Sequence, residues 1–375
     1  MAAGSMKTDS EQSTKAYRWI DKRYGVNALV DYMEHKVVPV HKHSFLYYLG
    51  GITLFFFIIQ VLTGILLLMY YRPGAESAYE SVRFIISEIS FGWLIRSLHS
   101  WSANLMIFAA FLHMFSVYFT HAYRKPRELT WLTGMALLGL ALLFGFSGYL
   151  LPWNELAFFA TRVGTGMAGA VPIIGEKLLV IMRGGEEVTG ATVGRFFGLH
   201  VAILPGLFTV FLAAHLLFVQ RQGMSEPLHW ADKPAAEKRQ MKFFPHFLLR
   251  DLLVWLIALN ILAVLAVFFP DGIGVVHWPL GIKADPFAPP PPVIRPEWYF
   301  MFAFQALKLL PPHIWFIEGE LFGIVIFTVG GLVWALVPFL DRKSAAGQKS
   351  KLFKLFGIFV LLFIIVMTIL GYILE

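Results

Sequence analysis

The sequence predicts an all-α membrane protein, with a four-helix bundle at its N-terminal end followed by a three-helix part. Three observations carry that prediction. Of the 375 residues, 57% are hydrophobic and only 15% are charged, and the mean hydropathy of +0.65 lies well above that of a soluble globular chain. Seven apolar runs, at about Phe45–Tyr71, Leu94–Tyr118, Thr130–Leu151, Phe196–Val219, Phe247–Phe269, Gly319–Leu340 and Leu352–Ile373, are each long enough to cross a hydrocarbon layer of ~30 Å. One long polar connection, Gln222 to Pro245, divides them into four and three. The expected organisation is a tail over 1–15, a four-helix domain over 16–222, a linker over 223–245 and a three-helix domain over 246–375.

Met1 to Lys15 is polar and lacks an apolar core, so it reads as a disordered tail and not as a cleaved signal peptide. Ala16 to Val38 sets Tyr17, Trp19, Ile20, Tyr24, Leu29, Val30 and Met33 among charges at roughly helical spacing. That pattern fits an amphipathic helix at the membrane interface or a soluble extension. Beyond it, loop charge sets the orientation, because Lys and Arg accumulate where they are not translocated. Arg124, Lys125 and Arg127 follow the second run, Arg221, Lys233, Lys238, Arg239 and Lys242 the fourth, and Arg342, Lys343, Lys349, Lys351 and Lys354 the sixth. These alternate connections belong on the cytoplasmic side together with the N-terminus. The intervening loops, which carry Glu76, Glu80, Glu155, Glu176, Glu186, Glu187, Asp271 and Glu297, face outward. The net charge of +7 is thus explained by topology and not by nucleic acid. With no cysteine in the chain, disulfides, iron–sulfur ligation and thioether-bound haem are excluded within it.

Four histidines lie inside the apolar runs: His99 and His113 in the second, fourteen residues apart, and His200 and His215 in the fourth, fifteen apart. At 3.6 residues per turn both members of each pair point to roughly the same side, about 21 to 23 Å apart along the helix axis. Ionisable side chains are costly in lipid and usually functional there. A lone buried histidine can simply bond a neighbouring helix, but two matched pairs on helices of the same direction make two stacked bis-histidine sites, His99 with His200 near the outer face and His113 with His215 near the inner. Bis-histidine haem has no open coordination position, which suits electron transfer. Gly50 and Gly64 in the first run and Gly134 and Gly148 in the third repeat the fourteen-residue spacing; they would admit a macrocycle edge or serve ordinary helix packing. Arg96 fits either a haem propionate or a snorkelling interfacial arginine. Pro296-Glu297-Trp298-Tyr299 follows the proline-rich stretch Pro286 to Pro296. A desolvated carboxylate in such a loop would have a raised pKa and could take a proton from a quinol hydroxyl, although a loop Glu on its own is usually just solvated.

The histidine pairs, the four glycines and Pro-Glu-Trp-Tyr together resemble the cytochrome b subunit of quinol:cytochrome c oxidoreductases, over nearly the whole chain from about Tyr24. Leu49-Gly-Gly-Ile-Thr53, Phe91-Gly-Trp-Leu-Ile-Arg96, Lys125-Pro-Arg-Glu-Leu-Thr-Trp131, Gly148-Tyr-Leu-Leu-Pro-Trp153 and the fifteen-residue histidine offset are nearer the chloroplast and cyanobacterial b/f type than the mitochondrial type, with the b/f type's separate three-helix polypeptide fused on. The resemblance implies two non-covalent b haems and a Q-cycle in a multi-pass subunit of a prokaryotic plasma membrane. A Rieske iron–sulfur protein and a c-type cytochrome or equivalent acceptor would be its partners, in a homodimeric complex. It implies that Glu297 accepts a quinol proton and that Tyr149, Trp153 and Tyr299 shape the outer quinol pocket together with Pro296, Trp298 and Ala160.

Three departures from the family pattern are visible. Tyr48 stands where the b/f type attaches an extra haem to cysteine, so no covalent third haem is expected. Gln220 replaces the mitochondrial inner-site histidine, which leaves Asp251, Arg221 and Arg250 as the inner quinone-site candidates. Ala160 replaces the glycine of strobilurin-sensitive proteins.

Two other readings stay open: a dihaem membrane anchor of a dehydrogenase or reductase, which needs histidine pairs but no outer Pro-Glu-Trp-Tyr loop, and a proton-coupled transporter using the histidines as a relay. The Ala160 substitution carries a direct prediction. Strobilurins should inhibit quinol oxidation only weakly, and abolition of turnover at low inhibitor concentration would refute this.

Overall fold

In hydrocarbon every backbone N–H and C=O must be satisfied within its own segment, and each of the seven apolar runs is helical accordingly. The structure, a computed structural model, describes residues 14–230, 233–348 and 350–374. Along the chain lie α1 Lys15–Tyr24, α2 Val26–His35, α3 Tyr48–Leu68, α4 Ala78–Ser87, α5 Gly92–Phe119 and α6 Glu128–Tyr149. Next come α7 Glu155–Gly169, α8 Gly175–Arg183, α9 Gly190–Gly198, α10 Leu204–Gln222, α11 Leu248–Phe268 and α12 Trp298–Lys308. The chain ends with α13 Gly319–Ala335, α14 Val337–Leu340, α15 Arg342–Ala345 and α16 Lys351–Ile373. Among the described residues six helical stretches are long and apolar enough to span a membrane: Ser44–Leu68, Gly92–Phe119, Glu128–Tyr149, Gly190–Gln222, Phe243–Phe268 and Lys351–Ile373.

The sixth expected span is shorter than the sequence suggested. The run Gly319–Leu340 is interrupted at Leu336, between α13 and α14. Pro338 lacks the N–H that a continuous helix would return to Trp334. The fourth span starts earlier than expected and carries a π-turn at Leu199–Ile203 between α9 and α10, where the Leu204 N–H reaches the Leu199 carbonyl five residues back. Pro205 follows immediately. A π-turn inserts one residue without rotating the rest of the helix out of register, so the extra residue between His200 and His215 is absorbed there.

Before the first span, the single amphipathic helix expected over Ala16–Val38 is two helices. Gly25, at φ 60°, ends α1, and Val37–Pro39 is a strand, β1. The tail expected over Met1–Lys15 lies outside the described residues as far as residue 13; Thr14 caps α1 by accepting the Tyr17 N–H, and Lys15 already belongs to the helix. The linker 223–245 is not featureless, since Gln240–Lys242 forms β2, paired antiparallel with β1.

Helix α3 packs along α5 and α6 along α10, while α11 lies across α3 and α5 and α12 packs on α16. Phe55, Trp101, Ile107, Leu140, Phe208, Leu262 and Tyr299 form the central buried cluster. Many outward side chains are equally apolar, Val210 and Leu256 among them, because lipid is the solvent.

The loops sort to two ends, as their charge predicts. At one end Arg124 donates to the Glu226 carbonyl (2.6 Å) and Arg127 to that of Gln222 (3.1 Å), which joins two basic connections. The third joins them through Tyr123, whose hydroxyl donates to buried Asp341 (2.7 Å), and through His121, whose Nδ1 is 2.9 Å from Ser344 Oγ. At the other end Tyr79 donates to the Gly281 carbonyl (2.7 Å), and Lys283 lies 3.6 Å from Glu76 and 3.7 Å from Glu80.

Asp341 is 1% exposed. Burial pushes its pKa up, but hydrogen bonds from Ser344 and Tyr123 outweigh burial and hold it below the ordinary 3.8. Asp341→Ala should therefore lower stability by about 1–3 kcal/mol for each donor left stranded. A carboxylate with a depressed folded pKa stabilises fully above its unfolded value and loses that contribution as pH falls through the folded one. Thermal unfolding of wild type and variant should show a gap at neutral pH that closes on acidification below the ordinary 3.8; a gap independent of pH would contradict the assignment.

Candidate dihaem and quinol sites

The pairing of α3 with α5 and of α6 with α10 determines what each glycine faces. A Cβ on Gly64 would lie 3.3 Å from Cε1 of His99, one on Gly50 3.2 Å from His113, one on Gly134 3.2 Å from His215, and one on Gly148 2.7 Å from His200. The sequence suggested room for a macrocycle edge. What each glycine admits in the structure is the imidazole ring of the neighbouring helix.

Three of the rings are tethered by a hydroxyl on the residue just before the glycine. Thr63 Oγ1 is 2.9 Å from Nδ1 of His99, Thr133 Oγ1 is 3.0 Å from Nδ1 of His215, and Ser147 Oγ is 3.1 Å from Nδ1 of His200. Each hydroxyl donates its own proton to a carbonyl of its helix, of Ile59, Leu129 and Phe144 respectively. With its proton on that carbonyl the oxygen accepts from the histidine, the arrangement in which Nδ1 carries the imidazole proton and Nε2 is available as a metal ligand. These hydroxyls were missed in the sequence, although Thr63-Gly64, Thr133-Gly134 and Ser147-Gly148 are plainly readable there.

The ring centroids of His99 and His200 are 6.4 Å apart. Two metal–nitrogen bonds of about 2 Å, plus about 1.2 Å from each nitrogen to its ring centre, span roughly that distance. Neutral nitrogen donors backed by glycine therefore fit a bis-histidine haem. Arg96 lies with its guanidinium 3.2 Å from Asp271 and donates to the Trp278 carbonyl at 2.7 Å. It ties the second span to the loop after the fifth and is not a freely snorkelling side chain.

Along the second half of α6, from Gly139 to Tyr149, lies a cavity of about 320 Å³ lined also by Ala160, Pro296, Glu297, Phe300 and neighbouring apolar residues of α7 and α12. Glu297 is the residue preceding α12, and burial pushes its carboxyl up to about 7. Tyr299 is buried and presses its hydroxyl on Gly145, where any Cβ would collide with it; burial raises its phenol well above the ordinary value. Tyr299 thus stands behind the cavity wall and not in it, and two other expected pocket residues sit elsewhere. Trp153, at φ 51°, packs in a separate cluster with Leu150, Phe158 and Val193. Trp298 turns to α5 and donates to Asn104 at 2.8 Å.

At the opposite end Asp251 lies against Gly51, next to the Gly50 that faces His113; a Cβ on Gly51 would be 2.5 Å from its Oδ1. Tyr48 stacks on Phe247 with centroids 4.9 Å apart, and Arg250 lies beside its hydroxyl. Neither Arg250 nor Arg221 pairs with Asp251 among the described residues. Gln220 is instead engaged by the N-terminal segment, through Lys36 and through Tyr32, which donates to its carbonyl at 3.0 Å.

Comparison with known proteins bears on this arrangement. Residues 33–223 match the family model described as Cytochrome b/b6/petB, and residues 283–375 match that of Cytochrome b(C-terminal)/b6/petD. The chain belongs to the cytochrome b family. It is 50% identical over 360 residues to the cytochrome bc complex cytochrome b subunit of Chlorobaculum thiosulfatiphilum, covering 96% of this chain and 81% of that one. It is 45% identical over 215 residues to cytochrome b6 of Synechococcus sp. (strain JA-3-3Ab), covering 57% of this chain and 100% of that one. Among solved structures, a chain of a hyperthermophilic respiratory Complex III superposes with a TM-score of 0.82 at 30% identity, over 95% of this chain and 91% of that one. Membership of the family implies haem binding and a role in electron transport across a membrane.

The glycine contacts can be tested directly. Gly148→Ala, the tightest of the four, should weaken retention of one haem by about tenfold or more, the scale of a disturbed ligand shell. Gly206→Ala on α10, where a Cβ meets nothing within 4 Å, should leave the haem content of the purified protein unchanged in a reduced-minus-oxidised spectrum.

Proposed function

We propose that this chain is the dihaem cytochrome b subunit of a quinol-oxidising complex of the bc or b/f type. In this reading quinol is oxidised at the outer cavity, electrons cross the membrane between the two histidine pairs, and quinone is reduced on the cytoplasmic side, with net proton translocation. The observation that carries it is the combination of two glycine-backed histidine pairs at two depths with a cavity at one end that presents Glu297 and Tyr149.

His99 with His200, and His113 with His215, would hold two non-covalent b haems, which supply one-electron carriers with no open coordination position. The chain's own residues do the rest. The apolar walls around Ala160 and Phe300 exclude water and accept a quinone-sized ring. The Tyr149 side chain supplies a polar edge in that wall. Glu297, with a carboxyl near neutrality, takes the proton from the quinol hydroxyl. On the inner side Asp251, with the adjacent Arg250 and with Arg221 at the end of α10 as a further candidate, would serve protonation of reduced quinone.

The relative from Chlorobaculum is named as a subunit of a cytochrome bc complex, which supports a Rieske iron–sulfur protein and a c-type cytochrome or equivalent as partners, in a homodimer. The clustering of the basic loops supports a multi-pass subunit of a prokaryotic plasma membrane with its N-terminus cytoplasmic. The first family match ends at 223, which supports an end of the four-helix part near 222; the second begins at 283, beyond α11, and the linker over 223–245 and the three-helix part over 246–375 belong to the same proposal. A dihaem anchor would have no use for the cavity, and a transporter none for glycine-backed ligands.

Glu297→Gln separates these readings. A proton acceptor must be ionised, so quinol oxidation should rise with pH through about 7. In the variant the rate should fall by about 10²-fold and lose that rise, with both haem signals retained. Full turnover with an unchanged pH profile would exclude the assignment, and absence of any b-type spectrum in the wild-type protein would exclude the whole reading.

A further inference from the structure

The hydroxyl tethers are not distributed evenly. His99 and His200 of the outer pair are held at Nδ1 by Thr63 and Ser147. Of the inner pair, His215 is held by Thr133, while Nδ1 of His113 is buried with no partner among the described residues. The reason is one side chain. The residues preceding Gly64, Gly134 and Gly148 are Thr63, Thr133 and Ser147, but the residue preceding Gly50 is Leu49. The first Thr or Ser on that helix, Thr53, is one turn further along and donates to the Leu49 carbonyl at 2.9 Å.

We infer that Thr63, Thr133 and Ser147 are positioning residues that fix and electronically tune three of the four iron ligands, and that Leu49 withholds this from His113. The outer site thus has two tethered ligands and the inner site one. This rests on the proposed dihaem function.

A histidine that donates its Nδ1–H is a more basic ligand through Nε2. A more basic axial ligand favours the oxidised metal, and hydrogen bonding around the ligands is one of the means by which a protein sets a haem's potential. Two tethers outside against one inside therefore lower the outer potential relative to the inner. An electron arriving from the cavity beside Glu297 is driven inward by that difference. The same tethers also fix the ring planes, since each hydroxyl is itself held by a carbonyl of its own helix.

The test is potentiometric titration of the purified intact complex, following both haem signals. Thr63→Val removes one outer tether and should shift the outer oxidised-to-reduced balance several-fold toward reduction; a full tenfold is 59 mV for one electron. Thr63→Ser, which keeps the hydroxyl, should restore the wild-type potential. Leu49→Thr supplies the missing tether and should shift the inner site several-fold the opposite way, so both Thr63→Val and Leu49→Thr alter the gap between the two sites while the conservative exchange does not. If both haems are bound in every variant and neither potential moves, the inference is overturned although the dihaem reading stands. If the wild-type protein binds no b haem, the function itself fails and the inference with it. Should Thr63→Val lose its haem, Leu49→Thr alone decides, because it adds a contact and removes none at the outer site.

Discussion

Placing four imidazoles in hydrocarbon is the constraint from which most of this molecule follows. Each ring has two nitrogens that must be satisfied in a medium offering no water, and the cost of failing is several kcal/mol per group. A hydroxyl on the facing helix lies 2.9 to 3.1 Å from Nδ1 at three of the four, which leaves Nε2 available to a ligand. The facing helix must then come close enough for that hydroxyl to reach, so a glycine follows it at the point of contact. The pairing of α3 with α5 and of α6 with α10 is the packing that this demands.

The fold was legible in the sequence because lipid imposes length and hydropathy on every span, and the histidine pairs stood out because ionisable groups are rare inside such runs. What was not legible depended on features that periodicity does not encode. The fifteen-residue interval from His200 to His215 looked like a small rotational misfit, and a π-turn at Leu199–Ile203 removes it. Arg96 showed only its own helix in the sequence; its partners Asp271 and Trp278 lie far along the chain, in the loop after the fifth span. Gly25 broke an amphipathic stretch that spacing alone made continuous. Trp153 shares a sequence motif with the cavity residue Tyr149, but its positive φ turns it into a different cluster.

The tethering hydroxyls were overlooked for another reason. A Thr or Ser in an apolar helix is ordinarily read as bonding its own i−4 carbonyl, and Thr63 and Thr133 do so, to Ile59 and Leu129. The second function becomes visible only when the facing histidine is placed 2.9 to 3.0 Å away. The self-bond is what gives the tether its direction, since a hydroxyl that has already donated must accept.

The outer cavity belongs to neither part of the chain alone. Tyr149 and Ala160 come from the four-helix part, and Pro296, Glu297 and Phe300 from the three-helix part. Its walls, and the burial that brings Glu297 near neutrality, therefore depend on how the two parts dock. The docking is secured at both ends. Arg96 with Asp271 and Tyr79 with Gly281 hold the cavity end, and the buried Tyr123, Asp341, Ser344 and His121 network holds the far end. Such a network loses its value if any member is left unpaired, so it specifies one alignment of the parts and not merely their association. A shift of about an ångström between them would leave the histidine pairs intact, because those lie wholly within the four-helix part, yet would open the cavity wall around Glu297. The histidine pairs and the Glu297 carboxyl are thus built on separate supports, joined by loops that sequence distance makes invisible until the chain is folded.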